Sequence, residues 1–211
     1  MPGRRRQRRT DRSKLDATPP WETRVREEPE PTSGPYDERD APDDGVDRVD
    51  LGALRIPVGA GFDVRVEVNE AQQVISATLA APDGTMQLGV FAAPRSEGIW
   101  DEVRAEIAMS LKEQTRSVPK EHEGPFGTEL HGNLPAEGGR GTVPVRFIGV
   151  DGPRWFLRAL LAGPVATEQG KAAKFEQALR GVVVVRGNDP LPVRDPVPLQ
   201  LPAGIELPGP E

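Results

Sequence analysis

The chain has no cysteine and, among its 211 residues, only two histidines and one tyrosine. The lack of cysteine excludes a disulfide framework, a thiolate nucleophile and every Cys-ligated zinc or iron–sulfur site. Nowhere do the ~18 consecutive apolar residues of a membrane span occur. The opening MPGRRRQRRTDRSK lacks the apolar stretch that a secretory or twin-arginine signal needs. Gly3 does not follow Met1 directly, which removes the myristoylation pattern. These absences lead to the expectation of a cytoplasmic protein without a membrane span.

Motifs of chemistry are missing too. There is no Gly-x-Ser-x-Gly elbow, no Walker loop, and no His-x-x-x-His or His-Glu-x-x-His spacing. Gly59-Ala60-Gly61 precedes a strand pattern rather than a helix, so it cannot cradle a dinucleotide. His122 lies between Glu121 and Glu123 in a polar stretch, and His131 sits on a polar strand face with Glu129 and Asn133. Two isolated histidines without a ligand pair do not make a metal site. Catalytic residues, cofactor and metal are therefore all expected to be none, and the reading leans away from an enzyme.

What is present is charge, unevenly distributed. Residues 1–14 hold seven cations and one acid, residues 15–50 four cations and twelve acids, and residues 51–187 fifteen cations and sixteen acids. The net charge of −6 therefore averages a basic arm, an acidic stretch and a neutral middle. Residues 1–48 carry seven prolines and few β-branched residues. Such a segment cannot bury enough apolar area to offset its ordering entropy, so disorder is expected there. The expected organisation is a charged arm at 1–48, one α+β domain at 49–187 and a proline-rich extended tail at 188–211.

Within the middle, Val49, Leu51, Leu54 and Ile56 mark a first short strand that Pro57 ends. From Phe62 to Val68 apolar and charged residues alternate, predicting a half-exposed strand. Val74–Ala80 and Met86–Ala92 follow, joined by Pro82-Asp83-Gly84, and the three strands are expected to form an antiparallel meander. From Ile99 the period becomes 3.6, with Trp100, Val103, Ile107 and Leu111 on one stripe of a helix. Ser117–Gly124 reads as a polar loop, and Phe126, Thr128, Leu130 and Leu134 as another strand. Thr142–Val150 and Arg154–Gly163 flank Asp151-Gly152, the pair favoured in a two-residue type I′ turn. In that register Ile148 opposes Trp155 and Phe147 opposes Phe156, which makes the hairpin central. Thr167 is the expected N-cap of a second helix that turns Ala172, Phe175 and Leu179 inward, and Val182–Val185 is a last strand. The fold class is thus α+β, a mostly antiparallel sheet covered by two helices, with a Mog1/PsbP-like element order.

The segments VRFIGVDGPRWFLRALLAG, GPYDERDAPDDGVDRVDLGALRIP and VVVVRGNDPLPVRDPVPLQLP carry a likeness. The chain resembles domain-of-unknown-function family 3710 (DUF3710), an actinobacterial family, over roughly residues 34–202. That resemblance implies no activity, cofactor or site residue.

Two sets of residues stand out as candidate sites. Arg146, Arg154, Trp155 and Arg158 on the hairpin could bind a small anion or nucleotide through guanidinium and indole planes. The plain alternative pairs these arginines with carboxylates on the covering helices and leaves Trp155 in the core. Arg4, Arg5, Arg6, Arg8, Arg9, Arg12 and Lys14 could neutralise nucleic-acid phosphates, or fold back on the acidic stretch. Leu191–Leu201, broken by prolines, is expected to run extended along the domain surface. The leading expectation is a non-enzymatic binding or protein-interaction module with an unidentified protein partner. Nucleic-acid association through the arm is the alternative. For the hairpin, the expected register puts Arg146 and Arg158 on opposite faces with Trp155 buried, and Arg158→Ala is expected to orphan a carboxylate.

Overall fold

The computed structural model describes residues 34–57, 61–69, 71, 73–136, 138–139 and 141–201. Two sheets and two helices build the body. The larger sheet has seven strands: β4 (Asp63–Val68), β5 (Val74–Ala81), β6 (Gly84–Ala92), β7 (Lys120–Gly124), β8 (Gly127–Pro135), β9 (Thr142–Gly152) and β10 (Trp155–Ala162). Their spatial order is β4-β5-β6-β10-β9-β8-β7, and every pairing in it is antiparallel. The smaller sheet holds β1 (Tyr36–Asp37), β2 (Arg48–Asp50), β3 (Leu54–Pro57) and β11 (Val183–Val184) in the order β1-β11-β3-β2. Helix α1 spans Trp100–Thr115 and helix α2 Gln169–Arg180. No helix among the described residues is long and apolar enough to cross a membrane.

Strand alternation assigns each side chain to a face. On one face of the large sheet, Ala77, Leu79, Met86, Leu88, Leu157, Ala159 and Leu161 are almost fully buried. They pack with Leu54 and Ile56 of β3, Val182 and Val184, and Phe175 and Leu179 of α2 in one apolar cluster. The small sheet and α2 thus close this face. On the other face, Trp100 and Leu111 of α1 pack with Leu130, Val145, Phe147 and Phe156. Helix α1 lies against β8 and β9. No element among the described residues covers that face over β4, β5 and β6, where Thr78, Thr85, Gln87 and Phe91 stay partly exposed.

The turn of the central hairpin differs from its expected place. Trp155 pairs with Gly152 and Phe156 with Asp151, so the two-residue loop is Pro153-Arg154, not Asp151-Gly152. Arg154 takes the positive φ of 63° there, behind a proline whose ring presets the preceding position. The strands are displaced by four residues from the expected register, with Arg158 opposite Gly149 and Arg146 opposite Leu161. An even displacement keeps every side chain on its face, so Arg146 and Arg158 still point to opposite sides. Asp151 is freed from the turn to accept the Ile99 backbone N–H at 2.8 Å, and it caps α1 from outside.

Three further expectations need correction. Residues 120–124 form edge strand β7 rather than a loop, paired with β8. Thr167 does not cap α2; Glu168 occupies that position, and the Thr167 hydroxyl donates to the Pro164 carbonyl at 3.4 Å. Residues 34–48, assigned to the arm, include β1, where Tyr36 pairs parallel with Val183. At the other end, Pro196 bridges to Phe91 and Leu199 to Val74 beyond the last β5–β6 pair, Ala77 with Leu88. Val197 and Leu199 bury their side chains in the core.

Candidate ligand site on the open sheet face

The four hairpin residues separate into three environments. Trp155 is buried, and its indole Nε1–H donates to Asp37 Oδ2 at 2.7 Å, anchoring β1 to the hairpin. Its ring passes over Gly152, where a Cβ would fall inside the indole. Arg154 stands at the turn, and its carbonyl accepts from Arg186 Nε at 3.2 Å.

Arg146 lies on the closed face and is fully engaged. Its guanidinium donates through Nε and Nη2 to both oxygens of Glu129, and through Nη1 to Glu176 Oε1 at 2.7 Å. All three residues are buried. The forked donor geometry of arginine suits this two-carboxylate grip, which ties β8, β9 and α2 together. Burial alone would push the Glu129 carboxyl up. His131 beside it and the Arg146 guanidinium outweigh that effect and hold the group below its ordinary range. His131 Nε2 lies 3.5 Å from Glu129 and makes no hydrogen bond, while its ring lies against that of His122, centroids 4.4 Å apart and planes tilted by 42°. The histidines expected to be isolated are therefore neighbours, because β7 pairs with β8 and brings position 122 opposite Glu129.

Arg158 has the opposite situation. It lies on the uncovered face between two glycines, Gly89 of β6 and Gly149 of β9. Neither glycine position is empty: the Phe91 ring lies against Gly89 and the Trp100 indole covers Gly149. The guanidinium sits 5.2 Å from the Phe91 ring centroid, a cation–π contact. Among the described residues no carboxylate lies within the 4.0 Å of a salt bridge, and the side chain makes no hydrogen bond. Burial pulls its pKa down, opposed only by the charge of Glu67. The expectation that Arg158 holds a helix carboxylate is thus wrong: α1 stops over β9 and directs its acids elsewhere. Glu102 and Glu106 pair with Arg194, and Asp101 pairs with Arg104.

The floor beside Arg158 is polar. Glu67 accepts on Oε2 from Ser76 Oγ at 2.9 Å and from Gln87 Nε2 at 2.6 Å. The Oγ1 atom of Thr78, across from Gln87, is buried without a partner. Glu67, Ser76, Thr78, Gln87 and Phe91 were not singled out from the sequence. The signal available was the charged half of the β4 alternation, which read only as a solvent face. The basic-arm residues Arg4, Arg5, Arg6, Arg8, Arg9, Arg12 and Lys14 lie outside the described residues.

A family model described as "Protein of unknown function (DUF3710)" matches residues 34–207. The chain belongs to DUF3710. No curated protein matches it. Among solved structures, the DUF3710 chain is similar to the solution structure of cyanobacterial PsbP (CyanoP) from Synechocystis sp. PCC 6803, at 8% identity and a TM-score of 0.39. The match covers 68% of this chain and 96% of that one. A likeness of that size carries nothing about function to this DUF3710 protein, whose α+β architecture stands on its own strands and helices.

Proposed function

We propose that this DUF3710 protein is a cytoplasmic binding module that takes a small anion on the open face of its large sheet, with Arg158 as the anchoring cation. The observation that carries this reading is the state of Arg158: a partly desolvated guanidinium with no carboxylate and no hydrogen bond among the described residues. Removing a charge from water without a compensating partner is costly, and an incoming anion supplies that partner. The aromatic wall of Phe91 and the bordering indole of Trp100 lower the local polarity and strengthen such a contact. This reading takes up the small-anion alternative expected for the hairpin arginines, in place of the protein partner expected first.

Thermal shift measurements with phosphate, sulfate, citrate and ATP test the proposal on the full chain. A ligand that binds only the native state raises the melting temperature with concentration. At least one anion is expected to stabilise the wild type and to lose that effect in Arg158→Gln. Arg186→Gln, which removes a cation from the hairpin tip, is expected to keep it. Equal responses of wild type and Arg158→Gln to every anion would overturn the proposal.

A further inference from the structure

Register places Arg158 on one face with a second functional group. Arg158 pairs with Gly89. Ser76 pairs with Glu67, and Ser76 and Gly89 are the residues next to the last β5–β6 pair, Ala77 with Leu88. Glu67, Ser76, Gly89 and Arg158 therefore share the open face as two pairs, Glu67 with Ser76 and Gly89 with Arg158. Between the two ends, Ser76 is buried and Gly89 lies under the Phe91 ring, and the ends carry opposite charges. β4 and β10 are three strand spacings apart, about 14 Å between backbones. Their two long side chains do not meet as a salt bridge. Ser76 Oγ and Gln87 Nε2 both donate to Oε2 of Glu67, and no described residue donates to Oε1. The buried Thr78 hydroxyl oxygen, also unpartnered, lies further along the same face.

We infer that the ligand is a bifunctional small acid, with a carboxylate or phosphate on Arg158 and a hydroxyl or ammonium donating to Glu67, its apolar middle laid on the Phe91 ring. This rests on Arg158 being the anion anchor and adds the class of molecule. Glu67 is a poor partner for a second anion, so the site discriminates against dicarboxylates and unsubstituted acids alike. Gly89 fits the role, because a Cβ there would press on the Phe91 ring at 3.3 Å.

The test compares acids of one carbon skeleton with and without a donor. β-Alanine and γ-aminobutyrate are titrated against propionate, butyrate and succinate, following the Gly89 and Gly149 amide signals of the full-length protein by NMR. At least one amino acid is expected to bind fivefold or more tighter than the acid with its skeleton. Glu67→Gln is expected to erase that preference, leaving propionate and butyrate unchanged and relieving the exclusion of succinate, and Arg158→Gln to abolish binding of all of them. Glu67→Ala provides a second variant should the amide of the first support the donor.

Tight binding of plain acids with no preference for the amino acids overturns this inference and leaves the anion anchor standing. A preference that survives both Glu67 variants overturns it as well. Binding of none of these probes, together with no response to phosphate, sulfate, citrate or ATP, removes both readings.

Discussion

Arg146 and Arg158 belong to the two strands of one hairpin, yet they illustrate opposite fates of a buried cation. On the closed side, Arg146 meets two carboxylates from two other elements and becomes an internal fastener. On the open side, Arg158 meets an aromatic ring and two glycines and has no acid in contact among the described residues. The same residue type thus serves architecture where its charge is matched and remains available where it is not. Covering elements make the difference, since α2 brings Glu176 to one face while α1 leaves half of the other face bare.

Substitution at Arg146 should break this comparison most visibly. Arg146→Met strands Glu129 and Glu176 as buried charges and should cost about 3–5 kcal/mol in urea unfolding. Replacing all three residues with Met and Leu of similar size should recover most of that loss, because the carboxylates leave with the guanidinium. A wild-type midpoint for the single variant would mean that Arg146 is no fastener.

The glycines on the two sides give the next largest effect. Gly152→Val drives a side chain into the Trp155 indole, and about 1–3 kcal/mol of destabilisation by thermal unfolding is expected from overpacking. The cause is the indole and not a turn conformation, since φ at Gly152 is not positive. Gly149→Ala should do the same through Trp100. A neutral result at either position would show that the indole moves freely.

Arg158→Met should change stability by less than about 1 kcal/mol, since the lost cation–π contact is offset by relief of desolvation. Calorimetry that found a loss near that of Arg146→Met would show a carboxylate partner and erase the distinction between the two arginines.

The smallest effects are in the pH dependence. Glu129 titrates below its ordinary value, so its stabilising contribution is complete above the unfolded-state value and fades as pH falls through the lowered one. The stability gap between wild type and Glu129→Gln should accordingly narrow from pH 7 toward pH 3. Asp44, gripped by Arg48 at 2.7 Å and lowered to about 2, should show a carboxyl midpoint near that value by NMR, and Arg48→Gln should raise it.

The sequence disclosed the fold more fully than the site. Val64, Val66 and Val68 against Asp63, Arg65 and Glu67 give a strand by alternation alone, and Trp100, Val103, Ile107 and Leu111 give a helix by spacing. The parity of Arg146 and Arg158 was legible too, because any even shift of the hairpin preserves it. The turn was not: the preference for Asp-Gly is local, whereas Asp151 is drawn away by the unsatisfied N–H groups at the start of α1, a tertiary demand. Strand β7 was hidden because an edge strand of charged residues looks like a loop. Glu129 and Glu176 became a pair only through Arg146, and Glu67 joined Arg158 only through the pairing of four strands.

Tyr36 lies beside Val183, and Val183 in turn beside Arg55. The small sheet therefore closes between segments made far apart in synthesis. A nascent chain can pair β4 with β5 and β6, and β7 through β10, by short hairpins as they emerge, with β10 then joining β6, but β3 waits for β11, and the apolar face beneath it waits as well. Folding through so distant a contact is slow relative to local pairing, and the bare face is the species that chaperones meet. Truncation before Val182 should leave a partly formed large sheet that aggregates during translation.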